Sequence, residues 1–112
     1  LENLGALQDR FDVLDLTDNA IVRLENFPRF ERLHVLLVSR NRINHIPNAL
    51  ISQMPSLTTL VAAHNRIENL TQLSALGRSK TLEMLELVGN PVSSQKHFRA
   101  FVITLIPSLR YL

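Results

Sequence analysis

Apolar residues recur along this chain in a fixed block. Phe11, Leu14 and Leu16 are followed by Asn19 and Ile21. Leu33, Leu36 and Val38 are followed by Asn41 and Ile43. Leu57, Leu60 and Ala62 precede Asn65 and Ile67, and Leu82, Leu85 and Leu87 precede Asn90 and Val92. The asparagines stand 22, 24 and 25 residues apart. Within a block the second and third apolar residues are two apart, the period of a strand with one face buried. The stretch VLLVSRNRINHI at 35–46 complicates that simple alternation. If Leu36 and Val38 face a core, Val35 and Leu37 face away from it and call for a cover.

Four registered copies of L-x-x-L-x-L-x-x-N-x-L are the leucine-rich repeat pattern, with a period inside the ~20–29 residue range of that architecture. The predicted fold class is α/β: a leucine-rich-repeat solenoid with short parallel strands on its concave face, helices and turns on its convex face, and a C-terminal helical cap. The whole of 1–112 reads as a single domain of about four to five repeats. One repeat cannot bury its own apolar edge, so neighbours must stack. The asparagine follows the strand where the chain bends, and its amide can satisfy backbone groups that the bend leaves unpaired. A structural ladder is therefore expected of all four.

The connections repeat as well. FPRFERL, MPSLTTL and IPSLRYL each lead into a strand after a proline, and Pro28, Pro55 and Pro107 suit turns or first helical positions. Segments 47–54 and 71–81 are long enough for a helical turn or two. In 93–106, Phe98, Phe101, Val102 and Leu105 fall at i, i+3, i+4 and i+7, an amphipathic helix with Ser93 or Ser94 as expected N-cap. That helix suits a cap over the last open edge, and PSLRYL reads as the start of a closing strand. Leu1, Leu4 and Leu7 read as the convex part of a repeat whose strand precedes residue 1. With Leu1 in place of Met, the sequence reads as a fragment without its N-terminal cap.

The register sorts the remaining positions into rows on the concave side. Position three gives Val13, Val35, Thr59 and Met84. Position five gives Asp15, Leu37, Val61 and Glu86. Position seven gives Thr17, Ser39, Ala63 and Val88, and position eight gives Asp18, Arg40, His64 and Gly89. The middle is apolar, and Asp15 and Glu86 flank it. A contiguous exposed apolar patch bordered by charge marks a protein interface. Partner-binding residues are therefore expected at Val13, Asp15, Val35, Leu37, Thr59, Val61, Ala63, Met84, Glu86 and Val88, with a helix as the best-fitting occupant of the trough. Arg40 and Arg42 flank Asn41, and His64 and Arg66 flank Asn65. With Lys96 and Arg99 near the cap, they form a basic margin that either is solvated or contacts phosphate.

Composition narrows the chemistry. The 112 residues are 46% hydrophobic and 20% charged, with 12 basic and 10 acidic side chains and a formal charge of +2. That balance does not by itself call for nucleic acid. With five Phe, one Tyr and no Trp, there is no platform for stacking bases, so sequence-specific RNA reading by this chain alone is not expected. The absence of Cys excludes disulfides, Cys-based metal sites and a Cys nucleophile. The four histidines, His34, His45, His64 and His97, fall at different repeat positions without partners at ligand spacing. Gly5, Gly77 and Gly89 are too scattered for a phosphate cradle. No cofactor, metal or catalytic residue is expected. Asn69-Leu70-Thr71 matches a glycosylation sequon, read here as coincidental because Leu70 continues the repeat. No run approaches the roughly 18–20 apolar residues of a membrane span.

The segments ENLGALQDRFDVLDLTDNAI, FPRFERLHVLLVSRNRI and GNPVSSQKHFRAFVITLIPSLRYL resemble the leucine-rich-repeat A-prime family of the U2 small nuclear ribonucleoprotein. The similarity covers nearly all of the chain. The ending, GNPV then KHFRAFVI then IPSLRYL, is its most specific part. The resemblance implies a nuclear, spliceosomal role. It implies a B-double-prime-type partner with an RNA-recognition motif, one helix of which sits in the concave face, and a U2 RNA stem-loop held mainly through that partner. By the same resemblance Val35, Leu37, Val61 and Met84 meet the helix, and Arg40, Arg42, Arg66 and Lys96 are RNA or rim contacts. The chain departs from the family in lacking the helix and strand before ENLGA and the segment after the last repeat. Arg40 stands where relatives commonly carry a small polar residue. The rival reading is a leucine-rich adaptor regulating a phosphatase or a cytoskeletal protein without RNA. An extracellular receptor fragment is disfavoured, because the usual Cys-containing caps are missing.

Overall fold

The computed structural model describes residues 12–112. Phe11 and the Leu1, Leu4, Leu7 pattern lie outside the described residues. Four three-residue strands, β1 (Val13–Asp15), β2 (Val35–Leu37), β3 (Thr59–Val61) and β4 (Met84–Glu86), form one parallel sheet in chain order. Val13, Val35, Thr59 and Met84 are in register, as are Asp15, Leu37, Val61 and Glu86. The strand register thus advances by the same steps as the asparagines, so each repeat is one turn of the solenoid.

The middle residue of every strand points inward: Leu14, Leu36, Leu60 and Leu85 are at most 7% exposed. Val38, Ala62, Leu87, Ile43, Ile67 and Val92 join them in one continuous core, closed on the far side by Phe27, Phe30, Leu50, Leu73 and Leu76. The convex side is irregular because each connection has to cover only one layer of apolar side chains. Its helical pieces are α1 (Ala49–Gln53) and a 3-10 segment at Leu70–Arg78, in the two stretches expected to be helical. The first connection is extended, with a parallel bridge between Arg23 and His45.

Pro55 and Pro107 occupy equivalent turns. Leu57 N–H donates to the Met54 carbonyl at 3.2 Å, and Leu109 N–H to the Ile106 carbonyl at 3.0 Å. Each proline is the second residue of a four-residue turn, where its fixed φ fits. Pro28 is not in such a turn: Phe30 N–H donates instead across to the Gln53 carbonyl at 2.7 Å.

The C-terminal cap helix is α2 (Phe98–Leu105), and its stripe Phe98, Phe101, Val102 and Leu105 packs on the core. Its expected start is corrected. Ser93 and Ser94 belong to a separate 3-10 turn, Pro91–Ser94, and His97 stands at the N-cap without a side-chain cap bond. Pro91 just after Asn90 starts this turn early, and the Ser93 hydroxyl donates back to the Asn90 carbonyl at 2.8 Å.

The asparagine ladder is present. Asn65 Nδ2 donates to the carbonyls of Ala62 (3.0 Å) and Val38 (3.1 Å), one in its own repeat and one in the repeat before. Its Oδ1 accepts from Ile43 N–H at 3.0 Å. Asn41 repeats the pattern with Val38, Leu16 and Ile21, and Asn90 with Leu87, Ala62 and Ile67. All three are buried, whereas Asn19 is exposed and bonds to Leu16 and Thr17 of its own repeat.

The residue before each ladder asparagine is left-handed: Asp18 (φ 61°), Arg40 (56°), His64 (56°) and Gly89 (79°). Three of the four carry a side chain, so φ alone does not demand Gly89. Its neighbour does, since a Cβ on Gly89 would sit 2.1 Å from His64 Nδ1. Gly89→Ala is expected to destabilise the fold by about 1–2 kcal/mol through strain and displacement of the imidazole. His64→Ala in the same chain is expected to recover part of that loss. Urea unfolding of both single variants and the double variant measures the coupling.

Candidate protein-binding face

The sheet register assembles the predicted patch. Val35, Leu37, Thr59, Val61, Met84 and Glu86 are half-buried around the inward leucines, and Val13 and Asp15 are exposed on the edge strand. Side chains of positions three and five flank every inward leucine, so both rows lie on the sheet face turned away from the core. Val35 and Leu37 therefore stand where the sequence placed them, with no covering element among the described residues. Val88 is 55% exposed at the other end. Ala63 is a correction: it is 8% exposed, because a methyl group lying between the flanking repeats barely clears them. Its N–H donates to Ser39 Oγ at 3.1 Å.

The two flanking acids are tied to their own backbone. Asp15 Oδ1 accepts from Thr17 N–H, and Glu86 Oε1 accepts from Val88 N–H, each at 3.0 Å. The Thr17 hydroxyl and then its N–H hold the Asp15 carboxyl below its ordinary value. The depressed pKa makes this turn fully effective above the ordinary carboxylate range near ~4, and its contribution fades as pH falls through the lowered value. A partner therefore meets a carboxylate held in place on β1 and another on β4, flanking the apolar residues between them.

On the margin after the strands, Arg40, Arg42, His64 and Arg66 are all exposed, and Arg40, Arg42 and Arg66 make no ion pair among the described residues. Their backbones are fixed by the repeat: Arg40 N–H donates to the Ala63 carbonyl, Arg42 N–H to Ile21 and Arg66 N–H to Ile43. Arg99 lies on α2, where its Nη1 reaches the Leu112 carbonyl at 3.4 Å. It lines a cleft of about 250 Å³ with Glu86, Val88 and Phe98 at the C-terminal end of the concave face. Lys96 sits in the turn before α2.

One member of the face was missed. Tyr111 forms a parallel bridge with Met84 and is 64% exposed. The signal was available, because Leu109 and Leu112 repeat the spacing of Leu82 and Leu85 and put Tyr111 at position three.

A larger groove of about 620 Å³ runs along the opposite edge, before the strands, past His34, Thr58, Lys80, Glu83 and Arg110. The hydroxyls there serve the stack: Thr58 donates to His34, Thr81 to Leu57 and Ser108 to Leu82 carbonyls. No group of three or more His, Asp or Glu side chains able to hold a metal ion occurs among the described residues. Among these residues no helix is long and apolar enough to cross a membrane.

Comparison with known proteins follows the same lines. The leucine-rich repeat family model matches residues 1–112. The U2 small nuclear ribonucleoprotein A' of Aspergillus fumigatus is 46% identical over 112 residues, covering 100% of this chain and 44% of that protein. The human U2 small nuclear ribonucleoprotein A' is 42% identical over the same length and with the same shares. The chain thus spans less than half the length of these relatives. Among solved structures, a chain in the crystal structure of the Drosophila melanogaster SNF/U2A' complex matches with a TM-score of 0.94 at 35% identity, covering 100% of this chain and 66% of that one. Repeat spacing, parallel register and these matches agree: the chain belongs to the leucine-rich repeat family, and it is similar along its whole length to U2 small nuclear ribonucleoprotein A' proteins.

Proposed function

We propose that this chain is a non-catalytic scaffold of the U2 small nuclear ribonucleoprotein, acting in the nucleus in pre-mRNA splicing. In this reading its concave face binds a helix of a B-double-prime-type protein with an RNA-recognition motif, and the pair holds a U2 RNA stem-loop. The observation that carries the reading is the double row of positions three and five, in register across β1–β4, with Val13, Val35, Leu37, Val61 and Met84 uncovered among the described residues. A trough of that kind accepts the apolar stripe of one amphipathic helix. The similarity to U2 A' proteins, one of them solved in complex with SNF, supports the choice of partner.

The charges suit specificity better than raw affinity. Asp15 and Glu86 favour a helix with basic residues where it passes β1 and β4. The exposed Arg40, Arg42 and Arg66 are placed for phosphate or rim contacts, with RNA sequence read by the partner. The test is capture from nuclear extract on the immobilised protein, followed by RNA sequencing and mass spectrometry. Enrichment of U2 RNA with an RNA-recognition-motif protein is expected. A capture that contains a phosphatase or cytoskeletal partner and no U2 RNA would overturn the reading in favour of the adaptor alternative.

A further inference from the structure

The concave rows continue past β4. Arg110 and Tyr111 N–H groups both donate to the Glu83 carbonyl, at 2.8 and 2.9 Å, as Glu83 and Met84 N–H groups both donate to Thr58. Leu85 N–H in turn donates to the Tyr111 carbonyl at 3.0 Å. The same hydrogen-bond pattern therefore joins a fifth repeat to the fourth, with Tyr111 beside Met84 at position three and Leu112 packed on the core. Its ring adds the row's one aromatic side chain to Val13, Val35, Thr59 and Met84.

We infer that Tyr111 is a further partner-binding residue, which lengthens the trough by one row and receives the last turn of the partner helix. The inference rests on the proposed function and names a residue of that same face. Neighbouring strands lie about 4.8 Å apart, so five rows span roughly 19 Å where four span roughly 14 Å. For a helix laid across the strands, rising 1.5 Å per residue, the added row accommodates about three more residues, close to one turn. A tyrosine suits such an end. Its ring offers a large apolar surface with few rotamers to freeze, and its hydroxyl meets a polar group at the rim, which is why tyrosine is enriched among dominant interface residues. The continuous register is what assigns the occupant: a helix lying over Leu37, Val61 and Met84 and extending past β4 meets Tyr111 next.

The test is titration of the B-double-prime-type RNA-recognition-motif domain into wild-type protein and into Tyr111→Ala, Tyr111→Phe and Leu37→Glu variants. Tyr111→Ala is expected to weaken binding at least tenfold and Tyr111→Phe by less than threefold. A tenfold loss in both Tyr111 variants also supports the contact and assigns it to the hydroxyl. Unchanged affinity of Tyr111→Ala, with Leu37→Glu abolishing binding, overturns this inference and leaves the trough standing. Unchanged affinity in all three variants overturns both.

Discussion

Asn65→Ala is expected to lower folding stability by about 2–4 kcal/mol, well above the loss expected for Asn19→Ala. Asn65 is 6% exposed and holds two repeats together. Removing its amide leaves Ile43 N–H and the Val38 and Ala62 carbonyls without their side-chain partner. A buried polar group left unpaired costs about 1–3 kcal/mol, more than the net gain from forming an ordinary hydrogen bond. Ile43 N–H is the most consequential, since a donor has one bond to lose, while the carbonyls retain a second lone pair. Asn65→Asp keeps the acceptor for Ile43 but turns a carboxylate toward the Val38, Ala62 and Ala63 carbonyls, so it is expected to be no milder at neutral pH. In this 112-residue chain, where the described residues give Asn19 bonds only within its own repeat, Asn19→Ala is expected to cost less than about 1 kcal/mol. Equilibrium urea unfolding of the three variants checks the order. Equal losses for Asn19→Ala and Asn65→Ala would remove the ladder from the account.

Leu37→Glu is expected to weaken partner binding at least a hundredfold while leaving the far-ultraviolet circular dichroism unchanged. Leu37 lies in the middle of the position-five row, between Asp15 and Val61. Its side chain is half-buried in the free protein and points away from the core, so a carboxylate there remains hydrated until a partner arrives. Binding then has to strip that water and set the charge against an apolar helix. A hundredfold loss corresponds to about 2.8 kcal/mol, within the penalty for burying an unpaired polar group. The new charge also stands beside Asp15, a like-charge pair that adds a small loss of stability. Affinity measured by calorimetry, with circular dichroism on the same samples, separates the two effects.

The parts of the fold that depend on apolar spacing were legible in the residues. Leu36, Leu60 and Leu85 could be placed inward, and Val35 and Leu37 outward, because strand alternation leaves no other arrangement once the repeat is aligned. Asn41, Asn65 and Asn90 could be given a structural role for the same reason. The left-handed backbone at Arg40 was not legible, since arginine gives no signal for it, whereas Gly89 and, more weakly, Asp18 and His64 carry residue types that favour it. It arises from the tertiary requirement of aiming the next asparagine into the stack. The separate turn at Pro91–Ser94 was not legible because Ser93 and Ser94 read as caps for the stripe that begins at Phe98. Ala63 belonged to the right row, but burial depends on side-chain length as well as direction. Tyr111 was overlooked because its repeat lacks a complete block, although the Leu109–Leu112 spacing matched.

The most direct test of the central claim, that positions three and five form the partner face, is methyl NMR of the isotope-labelled protein titrated with the RNA-recognition-motif domain. The Val35, Leu37, Val61 and Met84 methyl signals are expected to shift or broaden, while those of Ile51 and Leu70 on the convex side stay in place. Binding that moves Ile51 and Leu70 and leaves Leu37 and Val61 unperturbed would contradict it.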